Sequence, residues 1–143
     1  MERYEDRIAG RLRKQGLKIT PQRIAILRCL AGNRDHPSVE EIYREVLTQF
    51  PTISLATVYN TLGTLEEIRE VQPITFDASR KRYDPDMSLH HHVICDRCGV
   101  IRDVFVDYSE RFAVPAAISE EFRIEQALVC FRGLCRRCAG RIS

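Results

Sequence analysis

A chain of 143 residues has room for one domain or two small ones, and its 44% hydrophobic content is ordinary for a globular protein. The formal net charge of +2 does not by itself select nucleic acid as a partner, and no apolar run is long enough to cross a bilayer. No secretory leader is read at the N-terminus, so the cytoplasm is the expected compartment, where the six cysteines suit metal ligation better than disulfides.

The charge is unevenly spread. Residues 1–28 carry Arg3, Arg7, Arg11, Arg13, Lys14, Lys18, Arg23 and Arg28 against Glu2, Glu5 and Asp6. Such a segment can meet phosphates, and the same pattern fits a solvated helix face. Glu2–Gln15 is predicted to be a helix with Ile8 and Leu12 inward and Gly16 as its stop. Thr20-Pro21 opens a second helix, with Thr as N-cap and Pro in the first turn, and Ile24, Ile26, Leu27 and Leu30 form its buried stripe. Ser38 and Glu41 have capping-box spacing ahead of a third helix bearing Val39, Ile42, Tyr43, Val46, Leu47 and Phe50, which Pro51 ends.

Ser54 caps a fourth helix with Val58, Leu62 and Leu65 inward. Near its start Ala56, Thr57, Tyr59 and Asn60 lie outward, groups suited to base edges in a major groove. Two such helices across a short turn follow the helix-turn-helix plan, although a plain helical bundle gives the same pattern. Val71–Phe76 reads as a strand, Asp77-Ala78-Ser79 as a turn and Arg80–Tyr83 as the return, a wing whose basic tip can reach a phosphate. Beyond Pro85, strands are predicted near His91–Cys95 and Val100–Val106. A helix interrupted at Pro115 is expected over much of Tyr108–Glu121, then a strand over Phe122–Phe131.

The densest chemistry runs from Arg82 to Asp103. His90 and His92, two residues apart on a strand, face one side and His91 the other. Cys95-x-x-Cys98 pairs with Cys135-x-x-Cys138, and two such knuckles are a strong sign of a sulfur-only structural Zn²⁺ site. A redox dithiol is the competing reading. One metal is expected to build this half of the chain and a second to be sensed. Cys29 and Cys130 match neither knuckle, and their apolar neighbours make them expected packing residues.

The segments RKQGLKITPQR, HPSVEEIY, ISLATVYNTL, RYD, HHHVICDRCGVIRD and GLCRRC together resemble the ferric-uptake-regulator family of metal-dependent bacterial repressors over nearly the full length. Tyr59-Asn60, Asp84 and Asp103 look most like the peroxide-sensing branch, since iron-uptake members more often carry Glu at the two acidic ligand positions. The resemblance implies an α+β chain: a winged helix-turn-helix DNA-binding domain over 1–84, a hinge over 85–90, and a small α/β dimerisation domain over 91–143. That last domain is expected to hold a three-stranded antiparallel sheet and the four-cysteine zinc site. The resemblance also implies a homodimer on palindromic, A·T-rich double-stranded operator DNA, with no membrane and no substrate beyond the metal and hydrogen peroxide.

By position the resemblance assigns His36, Asp84, His90, His92 and Asp103 to a regulatory site for Fe²⁺ or Mn²⁺, with His36 or His90 oxidised by peroxide when iron is bound. Thr57, Tyr59 and Asn60 are the base-contact candidates, and Arg11, Lys14, Lys18 and Arg23 the phosphate candidates. A repressor of the same family that senses iron, zinc or manganese supply is the second reading. An enzyme or a purely structural zinc module ranks last, because no nucleophile–base pair, phosphate loop or pocket motif is present. Two positions depart from the family pattern. Ala127 stands where a histidine is common, which weakens any further metal site with His91. Glu67-Ile68-Arg69-Glu70 stands where the turn after the recognition helix usually has Gly.

Overall fold

Short-range hydroxyl caps set three helix starts in the N-terminal half. Thr20 Oγ1 accepts from the Arg23 N–H (3.2 Å), Ser38 Oγ from the Glu41 N–H (3.2 Å) and Ser54 Oγ from the Thr57 N–H (3.1 Å). Each satisfies a first-turn donor that has no partner within its helix. The computed structural model describes residues 1–75 and 81–140 and divides into two compact units, Met1–Ser88 and Leu89–Ser143.

The first unit holds α1 (Tyr4–Lys14), α2 (Pro21–Leu30), α3 (Val39–Leu47) and α4 (Leu55–Glu67), then β1 (Gln72–Ile74) and β2 (Arg82–Asp84). Its core is the set of apolar stripes read from the sequence: Ile8 and Leu12, Ile26, Leu27 and Leu30, Ile42 and Val46, and Val58, Leu62 and Leu65, all buried. Burying each such side chain contributes on the order of 1.5–3 kcal/mol. β1 and β2 pair antiparallel with Gln72 opposite Asp84, as a wing requires. The Asp77-Ala78-Ser79 turn and Arg80 lie outside the described residues.

The turn after α4 closes without the usual glycine. The Glu70 N–H donates to the Leu65 carbonyl (2.9 Å) and the Arg69 N–H to the Glu66 carbonyl (3.0 Å), a Schellman pattern that puts Arg69 in the left-handed region at φ +58°. The buried Glu70 carboxylate then faces Arg7 (3.3 Å) and Arg11 of α1, and Arg11 also donates to the Ile68 carbonyl (3.0 Å). Charge thereby fixes the N-terminal helix to the end of α4, while its Ile8–Leu12 stripe lies in the common core.

The second unit holds β3 (His91–Cys95), β4 (Ile101–Val104), α5 (Ala116–Glu121), β5 (Cys130–Gly133) and α6 (Arg136–Ala139). It contains the expected three-stranded sheet, in the order β4-β3-β5. The sheet is mixed rather than wholly antiparallel: β3 pairs antiparallel with β4 and parallel with β5. The correction follows from the long link between β4 and β5, which carries the chain across to the far edge of β3 and lets it return in β3's direction. The link is less regular than predicted. Pro115 precedes α5 as its N-cap instead of kinking a longer helix, and of the predicted Phe122–Phe131 strand only Cys130 and Phe131 join the sheet, in a strand that runs on to Gly133. Phe105, Phe112, Phe122, Leu128 and Phe131 are exposed in this unit.

A non-glycine residue at φ +58° carries backbone strain that glycine does not. Arg69→Gly should therefore raise the unfolding free energy by roughly 0.5–1 kcal/mol, after allowing for glycine's greater freedom in the unfolded chain. Urea denaturation measures this; a loss of stability would show that the Arg69 side chain contributes more than its backbone costs.

Candidate metal centres

The sheet register brings the two cysteine knuckles together. Cys95 ends β3, its N–H donates to the Val100 carbonyl (2.9 Å), and the Gly99 N–H returns to the Cys95 carbonyl (2.9 Å). That turn needs a positive φ at residue 99, where glycine sits at +76°. On the neighbouring strand Gly133 lies opposite Cys95, so the chain leaves β5 directly beside the first knuckle. Arg132 clips the two, with Nε and Nη2 both donating to Asp96 Oδ1 (2.9 and 2.8 Å). Cys135 then caps α6, and the Ala139 N–H closes on its carbonyl (2.8 Å).

The Sγ atoms of Cys95, Cys98, Cys135 and Cys138 all lie within 4.8 Å of one another, and Cys98 and Cys135 are 3.8 Å apart. Four sulfurs about 2.3 Å from a tetrahedral Zn²⁺ would stand about 3.8 Å apart, so the donor set fits such an ion. Its electrostatics ask for one. Backbone N–H groups of Cys135 and Cys98 hold the Cys95 thiol down at about 6, whereas burial and the neighbouring thiols push Cys138 up to about 12. Four thiolates this close repel one another unless a cation sits among them.

The imidazoles and carboxylates predicted for the second site form one group in each unit. In the first, His36 Nδ1 is 3.7 Å from Asp84 Oδ2. His36 leaves α2 through an Asx turn, in which Asn33 Oδ1 accepts from the Asp35 N–H (2.9 Å), and it adopts φ +54° immediately before Pro37. Both the β-carbon and the following proline disfavour that conformation, so about 1–3 kcal/mol is stored there. In the second unit, Asp103 lies opposite His92 across the β3–β4 pair. Its Oδ1 is 3.3 Å from His90 Nε2 and 3.4 Å from His92 Nε2. The two rings meet edge to face at 4.6 Å, and Phe105 stacks on His90 at 5.0 Å. His91 points the other way, where its Nδ1 accepts the Val129 N–H (3.0 Å) and Tyr108 packs on its ring.

The nucleic-acid candidates occupy varied settings. Tyr59 and Asn60 are exposed on α4, with the Tyr59 hydroxyl 3.5 Å from Glu40, while Thr57 is half-buried and bound to the Ser54 cap. Lys14 and Lys18 are exposed. Arg11 is engaged by Glu70, and Arg23 donates to the Lys18 carbonyl. On the wing, Lys81 pairs with Glu66 and Arg82 with Glu41. The sequence shows Glu70 only as part of a turn and Arg82 only as part of a basic wing, not the partners each one takes. The alternation that puts Arg82 and Asp84 on one face of β2 was a usable signal for the second.

Cys29 is buried as expected, its thiol pushed up to about 12 by burial and by Glu45. Cys130 is not a packing residue: it is exposed, because β5 is an edge strand whose outer side the chain leaves uncovered. Thiol labelling of the metal-loaded protein should therefore find Cys130 reacting first. The four clustered cysteines should follow only after a strong chelator, and Cys29 only on unfolding. Rapid labelling of all six would contradict a metal-holding cluster.

The description of the Ferric uptake regulator family matches residues 14–131. The peroxide-responsive repressor PerR of Staphylococcus epidermidis is 37% identical over 134 residues, covering 94% of this chain and 89% of that protein. The Campylobacter jejuni peroxide stress regulator superposes with a TM-score of 0.65 at 34% identity, covering 96% of this chain and all of the other. The Helicobacter pylori ferric uptake regulator Fur, in which three functional metal-binding sites have been described, superposes with a TM-score of 0.72 at 25% identity over 97% of both chains. The chain belongs to the ferric uptake regulator family.

Proposed function

We propose that this chain is a metal-dependent, peroxide-responsive transcriptional repressor that binds palindromic double-stranded operator DNA as a homodimer. The observation that carries the reading is the pre-pairing of donors in both units: His36 with Asp84, and His90 and His92 around Asp103. Mixed imidazole and carboxylate donors suit Fe²⁺ or Mn²⁺, and the two aspartates balance a divalent charge. One ion taking all five donors would fix the first unit, read as the DNA-binding domain over 1–84, against the dimerisation domain over 91–143, with 85–90 as the hinge. In a dimer that angle sets the spacing of the two recognition helices and so the half-site spacing that can be bound.

Zn²⁺ is the ion we assign to Cys95, Cys98, Cys135 and Cys138. Because sulfur ligation and folding are linked in small metal-held domains, its removal is expected to unfold the second unit. The exposed Phe105, Phe112, Phe122, Leu128 and Phe131 are the surface a second copy would cover. On the DNA, α4 would offer Thr57, Tyr59 and Asn60 to base edges. Lys14 and Lys18 would meet phosphates directly, whereas Arg11 and Arg23 must first leave Glu70 and the Lys18 carbonyl. Among the described residues no helix is long and apolar enough to cross a membrane.

When bound, a ferrous ion would supply an electron to split the peroxide O–O bond; over the whole reaction one peroxide oxygen enters the ring, which loses two electrons, and the other leaves as water. The chain's part is to hold the His36 and His90 rings as the oxidisable ligands and to lose donor strength when a ring gains oxygen. A metal-supply regulator of the same family remains the second reading, supported by the fold likeness to the H. pylori protein, and it would show metal-dependent DNA binding without ring oxidation.

The test is to load zinc-replete protein with Fe²⁺ or Mn²⁺ without air, add hydrogen peroxide, and follow operator affinity and peptide mass together. The iron form should gain one oxygen atom at His36 or His90 and release DNA, while the manganese form keeps both its mass and its affinity. Unchanged mass and affinity in the iron form would overturn peroxide sensing and leave the metal-supply reading.

A further inference from the structure

Three consecutive residues of β2 hold one turn of chain. Arg82 Nη1 donates to the His36 carbonyl (3.3 Å). The Tyr83 N–H donates to the Pro37 carbonyl (3.0 Å). Asp84 faces the His36 ring at 3.7 Å. Ser38 adds an isolated antiparallel bridge to Arg82, so the chain at 37–38 runs alongside the wing's return strand. Pro37 has no N–H to offer, and its carbonyl is the backbone group left to make this pairing.

The geometry explains why His36 stays in its strained conformation. At φ +54° its carbonyl is aimed at Arg82 while its imidazole is on the Asp84 side. Relaxation to an extended conformation would swing the carbonyl away from the guanidinium and the ring away from the carboxylate together. Arg82 is itself anchored, with Nη1 3.7 Å from Glu41 Oε1 in the first turn of α3 and its side chain only 13% exposed. A planar guanidinium can serve a carbonyl and a carboxylate at once, which a lysine ammonium on its flexible stem does less well. Arg82 and Asp84 share a face of the same strand, so the group that fixes the ligand's backbone and the carboxylate that faces its ring move as one piece.

We infer that Arg82 is a positioning residue for the regulatory metal: through the His36 carbonyl it holds the His36 imidazole where the ion can take it. This rests on the reading of His36 as a ligand. It adds a residue outside the donor set, and it makes the β1–β2 wing part of the machinery that prepares the site. A partner that orients a metal-ligating histidine is commonly worth about 10–100-fold in metal affinity.

The experiment is a Mn²⁺ titration of zinc-replete full-length protein, free Mn²⁺ being read by electron paramagnetic resonance. Wild type is compared with Arg82→Gln, Arg82→Lys, His36→Ala and the His36→Ala/Arg82→Gln double variant. Arg82→Gln should weaken Mn²⁺ about tenfold or more while the zinc content stays at one per chain, and Arg82→Lys should weaken it severalfold. With His36 already removed, adding Arg82→Gln should change little, because Arg82 acts through that residue.

Wild-type affinity in Arg82→Gln alongside weakened binding in His36→Ala would overturn the role of Arg82 and leave the metal site standing. An equal loss from Arg82→Gln with and without His36 would also overturn it, by showing a general effect on the fold. Wild-type affinity in His36→Ala would bring down the ligand reading and Arg82 with it. Should Arg82→Gln fail to fold, Arg82→Lys carries the test, and wild-type affinity in that variant contradicts the inference.

Discussion

A divalent ion needs more donors than either unit of this chain supplies. The first brings one carboxylate and one imidazole, Asp84 and His36; the second brings one carboxylate and two imidazoles, Asp103 with His90 and His92. Each half has a single negative charge and leaves a Mn²⁺ or Fe²⁺ ion short of ligands. In the proposed site the two sets together would neutralise it and offer five donors. In the proposed mechanism this incompleteness is what makes the protein a sensor: the ion is held well only when both halves contribute, so its binding energy goes into fixing one unit against the other. By reciprocity, whatever favours the metal-bound arrangement favours DNA, with a coupling on the order of 1–3 kcal/mol in allosteric proteins generally.

The two candidate metal centres divide the work by softness and by construction. The sulfur cluster is built from secondary structure alone: the end of β3, a glycine turn, the register between β3 and β5, and the first turn of α6. Its four thiols leave no position for another ligand, which suits a permanent structural ion. The imidazole and carboxylate groups are held differently. Asp103 and His92 sit opposite each other on a regular strand pair, whereas His36 is held in a strained turn by the wing. Strain at a ligand is useful in a switch, because a site that loses one donor has a lower-energy conformation to fall into.

The helical half of the fold was legible because its signals are local. Thr20, Ser38 and Ser54 each precede an apolar stripe, and each hydroxyl does cap its helix, since capping involves residues three apart and no distant partner. The cysteine knuckles were legible for the same reason. The segment between β4 and β5 was not. Phe112, Val114, Ile118, Phe122 and Leu128 are apolar enough to suggest a helix and a strand, yet they stand exposed in the single chain. Local propensity cannot fix such a segment when none of the described residues covers it. The direction of β5 was likewise a matter of topology and not of composition.

Charge was the other source of difference. Basic residues near the N-terminus read from composition as a phosphate-facing group, but Arg11 is committed to Glu70, a residue that occupies a turn where glycine is usual. The acidic residue there draws a candidate DNA contact into a clamp between α1 and the end of α4. Arg82 shows the reverse: it appears in the sequence as part of a basic wing and in the structure as the residue that donates to the His36 carbonyl. In both cases the partner lies far away in sequence, beyond the reach of pattern reading.

The most direct measurement of a shared ion is paramagnetic broadening in the nuclear magnetic resonance spectrum of zinc-replete protein given less than one equivalent of Mn²⁺ per chain. Resonances around His36 and Asp84 should broaden in step with those around His90, His92 and Asp103, at every addition and in the same proportion. Broadening of one group while the other stays sharp would contradict a single ion held by both units.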